Sequence, residues 1–428
     1  MKLNYYVWLA LPAVFAIACN NKSKTSLADD VPKRTVFFDK TGMDTTVSPG
    51  ENFFLYASGN WVKKTEIPAS ESGWGSFYTL YDDNQKNLRK ILDEVSAQDN
   101  SKGSNEQKVG DLYASGMDTA AIEQLSFDPV KPLLYKIDAV KDYKQLVKLA
   151  ADGYQDGDGF LFGFYVGPDD KISTKNAANF YQTGLGLPNR DYYFNADSAT
   201  QNIRKEYVKY IAKLFTLSGT DAASAHKQAD AILKLETEIA KSHSTPVELR
   251  DPVKNYNKFA VADFQKQVPD LDLKDVLNRM QAKTDTILVG QPKYYQALNN
   301  LLKTQPIDVW KLKLKFAALS EAAPALSKSF RDANFEFFGK TLNGQKKQKE
   351  RWKKMVETVN NGLGELLGQL YTEKYFPSDA KERMLKLVNN LQKVYQSRIE
   401  KLDWMSAETK KKGLDKLNTF TKKIGYPD

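Results

Sequence analysis

The chain has 428 residues, 41% hydrophobic and 27% charged, a globular composition long enough for two or three domains or one large one. Its formal charge is +9, but 62 basic residues are interspersed with 53 acidic ones, and no stripe or motif gathers the positive charge, so no nucleic-acid interface is expected. Two histidines and one cysteine exclude an internal disulfide and leave little material for Ser-His-Asp or Cys-His catalysis, and no CxxC or HxxxH spacing offers zinc ligands.

Residues 1–18 read as a signal peptide. "MKLNYYVWLALPAVFAIAC" opens with Lys2 and carries an apolar run from Tyr6 to Ala18, shorter than the ~20 apolar residues of a spanning helix. "AIAC" resembles a bacterial lipobox, in which the cysteine, here Cys19, is lipid-modified and becomes the first mature residue. Ala16 stands where Leu is commoner. The competing reading is an ordinary signal with an unrelated cysteine. The polar stretch "NNKSKTSLADD" makes residues 19–40 a lipidated, flexible tether. The expected location is the cell envelope, outside the cytoplasm, with the chain held to a membrane on its periplasmic or surface side.

The folded region is expected over 41–428. "ENFFLYASGNWVKKTEIPASESGWGSFYTLYDDN", Glu51 to Asn84, is dense in aromatics, Gly and Pro and reads as a compact irregular region packing Trp61, Trp74 and Phe77. "NQKNLRKILDEV" places Leu88, Ile91, Leu92 and Val95 on one helical face. "FLFGFYVG", Phe160 to Gly167, is the clearest strand. "SAHKQADAILKLETEIA" aligns Ala225, Ala229, Ile232, Leu235 and Ile239. "WKKMVETVNNGLGELLGQLY" aligns Trp352, Met355, Val359, Leu363, Leu366 and Leu370. A further helix takes Ser378 as N-cap and aligns Met384, Leu387, Leu391, Val394 and Leu402. The last starts at Ser406, with Glu408 favoured in its first turn. The architecture is mainly α with at most a small β element. "KKIGYPD", a helix end and a Gly-Tyr-Pro turn, reads as a junction to a following element.

Four stretches invite a chemical reading. The Gly-x-Gly of "GLGLPNRDYYF", Gly184 to Phe194, lacks the third Gly and the Lys-Ser/Thr of a phosphate loop and reads as a turn anchored by Tyr192 and Tyr193. His226 and Asp230 stand four apart on a helix, but two ligands do not hold a catalytic metal, and His226 falls on the solvated flank. His243 reads as a loop or helix-end residue with no nucleophile beside it. The basic run "GQKKQKERWKKM", Gly344 to Met355, could dock anionic lipid; the simpler reading is a solvated entry to the Trp352 helix.

"FFLYASGNWVKKTEIP" followed by "WGSFYTLYDDN" resembles the opening of the neprilysin-like zinc metallopeptidases, peptidase family M13. The likeness continues in "GLGLPNRDYY", "ETEIAKSHSTPVELRDPVKNYN" and "RWKKMVETVNNGLGELLGQLYTEKYFP", and ends in "RIEKLDWMSAETKKKGLDKLNTFTKKIGYPD". The resemblance implies a large helical N-terminal domain that covers a cavity and admits peptides. It also implies a C-terminal thermolysin-like part holding one zinc ion through His-Glu-x-x-His and a later Glu. That catalytic part is absent from this sequence: Lys227 follows His226 and Ser244 follows His243, so no catalytic or metal residue and no cofactor is assigned to this chain. In neprilysin itself an Arg before the aromatic-Gly pair binds a substrate carboxylate; here Gly73 precedes Trp74 and Gly75, so Gly73 and Trp74 are the substrate-cavity candidates without that charge. The implied function is the substrate-gating portion of a secreted, lipid-anchored metalloendopeptidase acting on oligopeptides, inactive alone. The alternatives are a non-catalytic lipoprotein that binds peptides or a protein, and an inert remnant of a disrupted gene.

Overall fold

The computed structural model describes residues 39–157 and 160–427; the signal segment and Cys19 lie outside the described residues. In chain order come α1 (Phe53–Lys64), α2 (Ser76–Ser96), α3 (Asn105–Met117), α4 (Thr119–Leu125), α5 (Lys131–Asp138) and α6 (Tyr143–Gly153). Strands β1 (Gly163–Pro168) and β2 (Asn176–Tyr181) follow, then α7 (Asp191–Phe194), α8 (Ser198–Leu217) and α9 (Ala222–Ala240). Next are β3 (Lys258–Ala260), α10 (Val261–Gln267), α11 (Leu273–Arg279) and β4 (Thr286–Val289). The chain closes with α12 (Pro292–Thr304), α13 (Ile307–Ala322), α14 (Lys328–Asn334), α15 (Arg351–Tyr375), α16 (Ser378–Lys401) and α17 (Ala407–Asn418). The fold is mainly α with one small sheet. No described helix is long and apolar enough to cross a membrane.

The chain divides into two compact units. The central unit takes Thr65–Asp99 and Gln107–Val359; the terminal unit takes Met1–Lys64, Asn100–Glu106 and Asn360–Asp428.

The central unit holds the main core. Asp side chains start its helices where the sequence supplies them: Asp142, Asp197 and Asp221 accept from the backbone N–H three residues on, at the heads of α6, α8 and α9, satisfying donors that a helix start leaves orphaned. The periodicity of α9 is realised, with Ala225, Ala229, Ile232, Leu235 and Ile239 all buried. The sheet runs β1-β2-β4-β3, with β2 and β4 parallel and both outer pairs antiparallel. Phe164 of β1 lies opposite Phe180 of β2, their rings 4.9 Å apart. Tyr295 of α12 fastens the sheet to the helices: its hydroxyl donates toward the Tyr181 and Gly163 carbonyl oxygens at 2.9 and 3.2 Å. The apolar run is strand only from Gly163; Phe160 to Phe162 precede it, buried but outside the ladder.

In the terminal unit α1 packs on the turn at Lys40–Gly42 and on Asp44. A Cβ at Gly59 would come within 2.8 Å of the Asp44 Cβ, so only glycine fits there. Asp44 accepts from Lys63 Nζ at 2.7 Å and from Thr46 N at 3.1 Å. Ser406 caps α17 as expected, accepting from Thr409 N. Ser378 does not cap α16; Pro377 holds that position without a side-chain bond, and Ser378 is the first helical residue. "IGYP" folds back on the corner between α15 and α16: Gly425 is left-handed at φ 73°, and Lys381 Nζ lies 4.2 Å over the Tyr426 ring.

One further expectation fails in an instructive way, and one apolar face lies uncovered. Glu51 to Asn84 is not irregular; it supplies α1 to one unit and the first turns of α2 to the other. Phe77 is 87% exposed rather than packed, because the side of α2 that faces the core is set further along by Leu88, Ile91, Leu92 and Val95. The apolar face of α16 is present, but Met384, Leu387, Leu391 and Val394 stay exposed, and no residue of that helix is buried.

That exposure yields a prediction. Replacing Leu387 and Leu391 together by Glu leaves the urea midpoint within about 0.5 kcal/mol of the native chain, as for a surface change, and lowers self-association in sedimentation velocity. A loss above ~2 kcal/mol, the scale of a core leucine, contradicts the exposed reading.

Candidate functional site

Gly73 and Trp74 sit immediately before α2 in the central unit. The Trp74 ring packs on Tyr78 with centroids 5.9 Å apart. A Cβ at Gly73 would stand 3.2 Å from the Tyr78 hydroxyl, so a side chain here would nudge that phenol by a few tenths of an ångström. Position 73 therefore carries backbone and a neighbouring hydroxyl, but no charge. The next helical turns present Phe77, Leu80 and Tyr81 to solvent. Tyr81 also joins a polar cluster: its hydroxyl donates to Glu357 Oε1 at 3.2 Å, and Gln85 Nε2 donates to both at 2.8 and 3.1 Å.

The basic run reaches this cluster. Lys349 Nζ pairs with Glu357 at 2.7 Å, and Lys353 pairs with Asp82 of α2. Arg351 donates to the Gly116 carbonyl oxygen, and the Lys346 and Lys347 amides both donate to the Ala69 carbonyl oxygen at 2.9 Å. Arg89 lies 4.7 Å over the Trp352 ring. The run is thus less solvated than its composition suggests. Lys349, Arg351 and Lys353 hold the start of α15 against α2 and the end of α3, and are committed within the protein rather than free for lipid phosphates.

The second polar centre is buried. Glu236 lies on the apolar face of α9 and is fully inaccessible. Its carboxylate accepts from Tyr193 Oη at 2.8 Å, from Tyr207 Oη at 2.9 Å and from Lys313 Nζ at 2.7 Å. Burial, reinforced by the Glu236 charge, holds both phenols well above their usual range. Tyr193 Oη in turn accepts from the Leu187 N–H at 3.1 Å, so the Gly184–Leu187 turn is tied to α9 and α13. A Cβ at Gly186 would fall 1.8 Å from the Tyr207 hydroxyl, while Gly184 holds φ +89°. The Gly-x-Gly is a packing and turn device, and Tyr193 is its anchor. A cavity of about 470 Å³ opens beside it, lined by Thr183, Gly184, Gly186, Glu236, Lys313 and Ser320 among others. Sequence reasoning missed Glu236 and Lys313. The available signal was a charged residue inside each apolar stripe: Glu236 between Ile232 and Ile239, and Lys313 between Trp310 and Leu314.

The histidines take opposite places. His226 is exposed on α9 beside Asp230. His243 is buried in the turn after α9, edge-on to Tyr294 with centroids 5.2 Å apart, and its Nε2 lies 3.1 Å from the Thr183 carbonyl oxygen. That oxygen only accepts, so Nε2 carries the proton. Burial pushes His243 down to about 4, which makes it a poor base at neutral pH and a fixed strut of the same turn. Among the described residues no group of three or more His, Cys, Asp or Glu could hold a metal ion. The donor set does not fit zinc: one histidine is exposed with Asp230 alone near it in sequence, and the other is spent on a carbonyl.

Comparison with known proteins adds to this geometry. Residues 49–427 match an N-terminal family model described as "Peptidase family M13". Human endothelin-converting enzyme 1 is 28% identical over 403 residues, covering 91% of this chain and 51% of that protein. The Mycobacterium tuberculosis zinc metalloprotease Zmp1, solved with an inhibitor, is similar in structure at a TM-score of 0.83 and 32% identity, over 91% of this chain and 60% of the other. The same enzyme solved in an open state matches at 0.75 with 33% identity, over 88% of this chain and 58% of the other. The chain spans about half the length of the curated relatives it matches.

Two predictions follow from the buried centre. Glu236→Gln leaves the Lys313 ammonium buried without its counter-charge and should cost ~3–5 kcal/mol in denaturant unfolding, with Lys313→Met in the same chain restoring part of it. Strictly additive losses would show that the two residues do not act as a pair.

For His243, the unfolded chain takes up a proton near pH ~6.5, whereas the folded one does so only at about 4. The unfolded state therefore binds the extra proton between those values. Stability is complete above pH ~6.5 and falls by at most about 3 kcal/mol as pH drops toward 4. His243→Gln, which keeps a donor for Thr183, should flatten that window. Asp169 is held at about 2, first by Lys258, so its contribution disappears only below the usual carboxylate range. A native chain with pH-independent stability from 7 to 4 would rule out the buried neutral imidazole.

Proposed function

The chain belongs to peptidase family M13, and we propose that it is the substrate-gating, N-terminal portion of a lipid-anchored metalloendopeptidase that acts on oligopeptides. In this reading the zinc ligands and the general base come from a catalytic segment other than the residues present here. That segment would polarise the scissile carbonyl and activate water through the metal. The chain's own residues shape the approach. Trp74, Phe77, Leu80 and Tyr81 offer apolar and aromatic surface for peptide side chains, with no cation at Gly73 to demand a terminal carboxylate.

One observation carries the reading: 91% of this chain superposes on 60% of a zinc metalloprotease, while the described residues contain no donor cluster of their own. The exposed apolar face of α16 supports it further, as a surface for the catalytic segment to cover. Lipidation at Cys19 places the protein on the outer side of a membrane, within the cell envelope.

The decisive measurement uses the purified chain mixed with equimolar zinc. It should keep no stoichiometric metal after gel filtration and show no chelator-sensitive cleavage of a quenched fluorescent peptide. One retained zinc together with chelator-sensitive cleavage overturns the division of labour. In a bacterial host, Cys19→Ser should abolish incorporation of labelled palmitate; unchanged labelling removes the anchor from the proposal.

A further inference from the structure

The corner before α7 carries a cation that the fold does not use. Among the described residues, Arg190 Nε is the only buried side-chain polar atom without a hydrogen-bond partner. The guanidinium's one ion pair, Nη1 with Asp191 Oδ1, spans 3.8 Å, beyond hydrogen-bond reach. Its Cζ lies 5.1 Å from the centre of the Phe194 ring, and 29% of the side chain is accessible. Other arginines are spent inside the protein: Arg204 and Arg351 donate to carbonyl oxygens, and Arg279 donates to Asp152. A guanidinium drawn partly out of water without an acceptor is a cost to folding.

The backbone that carries Arg190 is held firmly. Asp191 N donates to Asn189 Oδ1 at 2.9 Å. Arg204 Nη1 donates to the Tyr192 and Asn195 carbonyl oxygens at 2.7 and 2.9 Å, and Tyr193 is tied to Glu236. The turn after α9 lies beside it. Glu248 is held below the usual carboxylate range first by the Thr245 amide and hydroxyl, and further by the Arg190 charge. That carboxylate is already taken: its Oε2 accepts from Thr245 N at 2.7 Å and from Thr245 Oγ1 at 2.9 Å. On either side of Glu248, Val247 and Leu249 are 73% and 40% exposed. A fixed fork of donors thus stands next to uncovered aliphatic side chains, and neither neighbouring carboxylate occupies it. Such preorganisation is what a binding residue needs.

We propose that Arg190 is a binding site for a peptide carboxylate, received at the Nη end of the guanidinium while an adjoining aliphatic side chain packs on Val247 and Leu249. The Nε edge is covered, which leaves the two Nη groups to make paired charge-assisted hydrogen bonds to the carboxylate oxygens. Partial burial of the cation strengthens those bonds. Glu248 opposes an incoming anion and so limits the affinity. The carboxylate comes from a C-terminus or from an Asp or Glu side chain, which present the same pair of oxygens. All of these residues lie in the central unit, so the site serves a peptidase or a binding protein alike and needs no zinc.

The test uses the full chain with Cys19→Ser and isotope-labelled arginine, whose Nε–Hε resonances are followed by NMR while calorimetry gives the affinity. The resonance missing from Arg190→Gln identifies Arg190. Three probes are titrated: acetylated Ala-Ala-Leu with a free C-terminal carboxylate, the same peptide as its amide, and acetylated Ala-Glu-Leu amide. A carboxylate peptide should shift the Arg190 resonance saturably. Binding of the first identifies a C-terminus as the source, and binding of the third an acidic side chain. Arg190→Gln should weaken that binding roughly tenfold or more. Glu248→Gln, which removes the opposing charge and keeps an oxygen for Thr245, should tighten it. Because the guanidinium holds no internal partner, Arg190→Gln should leave the urea midpoint nearly unchanged. No saturable shift with either carboxylate peptide, equal binding of the plain amide, or native affinity in Arg190→Gln overturns the proposal. So does a marked loss of stability in Arg190→Gln, which would make Arg190 a structural residue.

Discussion

The central unit depends on one buried carboxylate. Glu236 has no water to solvate it, so its charge must be met by protein donors or the fold pays several kcal/mol for it. Lys313 and two tyrosines meet it from three other parts of the chain. That requirement brings α7, α8, α9 and α13 to one point. It explains why Gly186 has no side chain, since a Cβ would occupy the space of the Tyr207 hydroxyl. His243 reinforces the same turn from its other side through Thr183. The "GLGLPNRDYY" and "ETEIAKSHS" stretches, which look like separate motifs in the sequence, are two halves of one construction.

Periodicity made much of this legible. The stripe on α9 and the Leu88–Val95 face of α2 are where the sequence places them, because those apolar residues are covered within the chain; of the four described strands, only β1 was marked by the sequence, and it begins at Gly163 rather than Phe160. Side-chain chemistry across long separations was not legible. Glu236 and Lys313 are 77 residues apart, and no local pattern announces a salt bridge; the only trace is a charged residue inside an apolar stripe. The basic run shows the same limit. Composition marked Gly344 to Met355 as charged surface, yet its partners Asp82, Glu357 and the Gly116 carbonyl oxygen are chosen by tertiary structure.

The candidate site was legible mainly through family resemblance. Gly73 and Trp74 carry no chemical signature of their own. What the structure adds is a close neighbour: a Cβ at position 73 would stand 3.2 Å from the Tyr78 hydroxyl, which would have to give by a few tenths of an ångström. In the proposed reading, a glycine beside a phenol would recognise a ligand differently from a cation. A guanidinium selects a carboxylate through paired charge-assisted hydrogen bonds, whereas an exposed aromatic surface selects by apolar area and imposes little directional demand.

Periodicity reports which side of a helix is apolar, but not what covers it. On α9 the apolar side meets the core of its own unit. On α16 the same kind of stripe, Met384, Leu387, Leu391 and Val394, stays in water. Both patterns are equally regular, so regularity does not decide the outcome; the presence of a facing surface does. These four side chains are 43–52% exposed, so each forgoes about half of the roughly 1.5–3 kcal/mol that full burial supplies, together still a sizeable fraction of the net stability of an ordinary domain. A sequence that keeps such a stripe is expected to use it against a partner surface. The proposed catalytic segment would supply that surface and return α16 to the rule that α9 obeys.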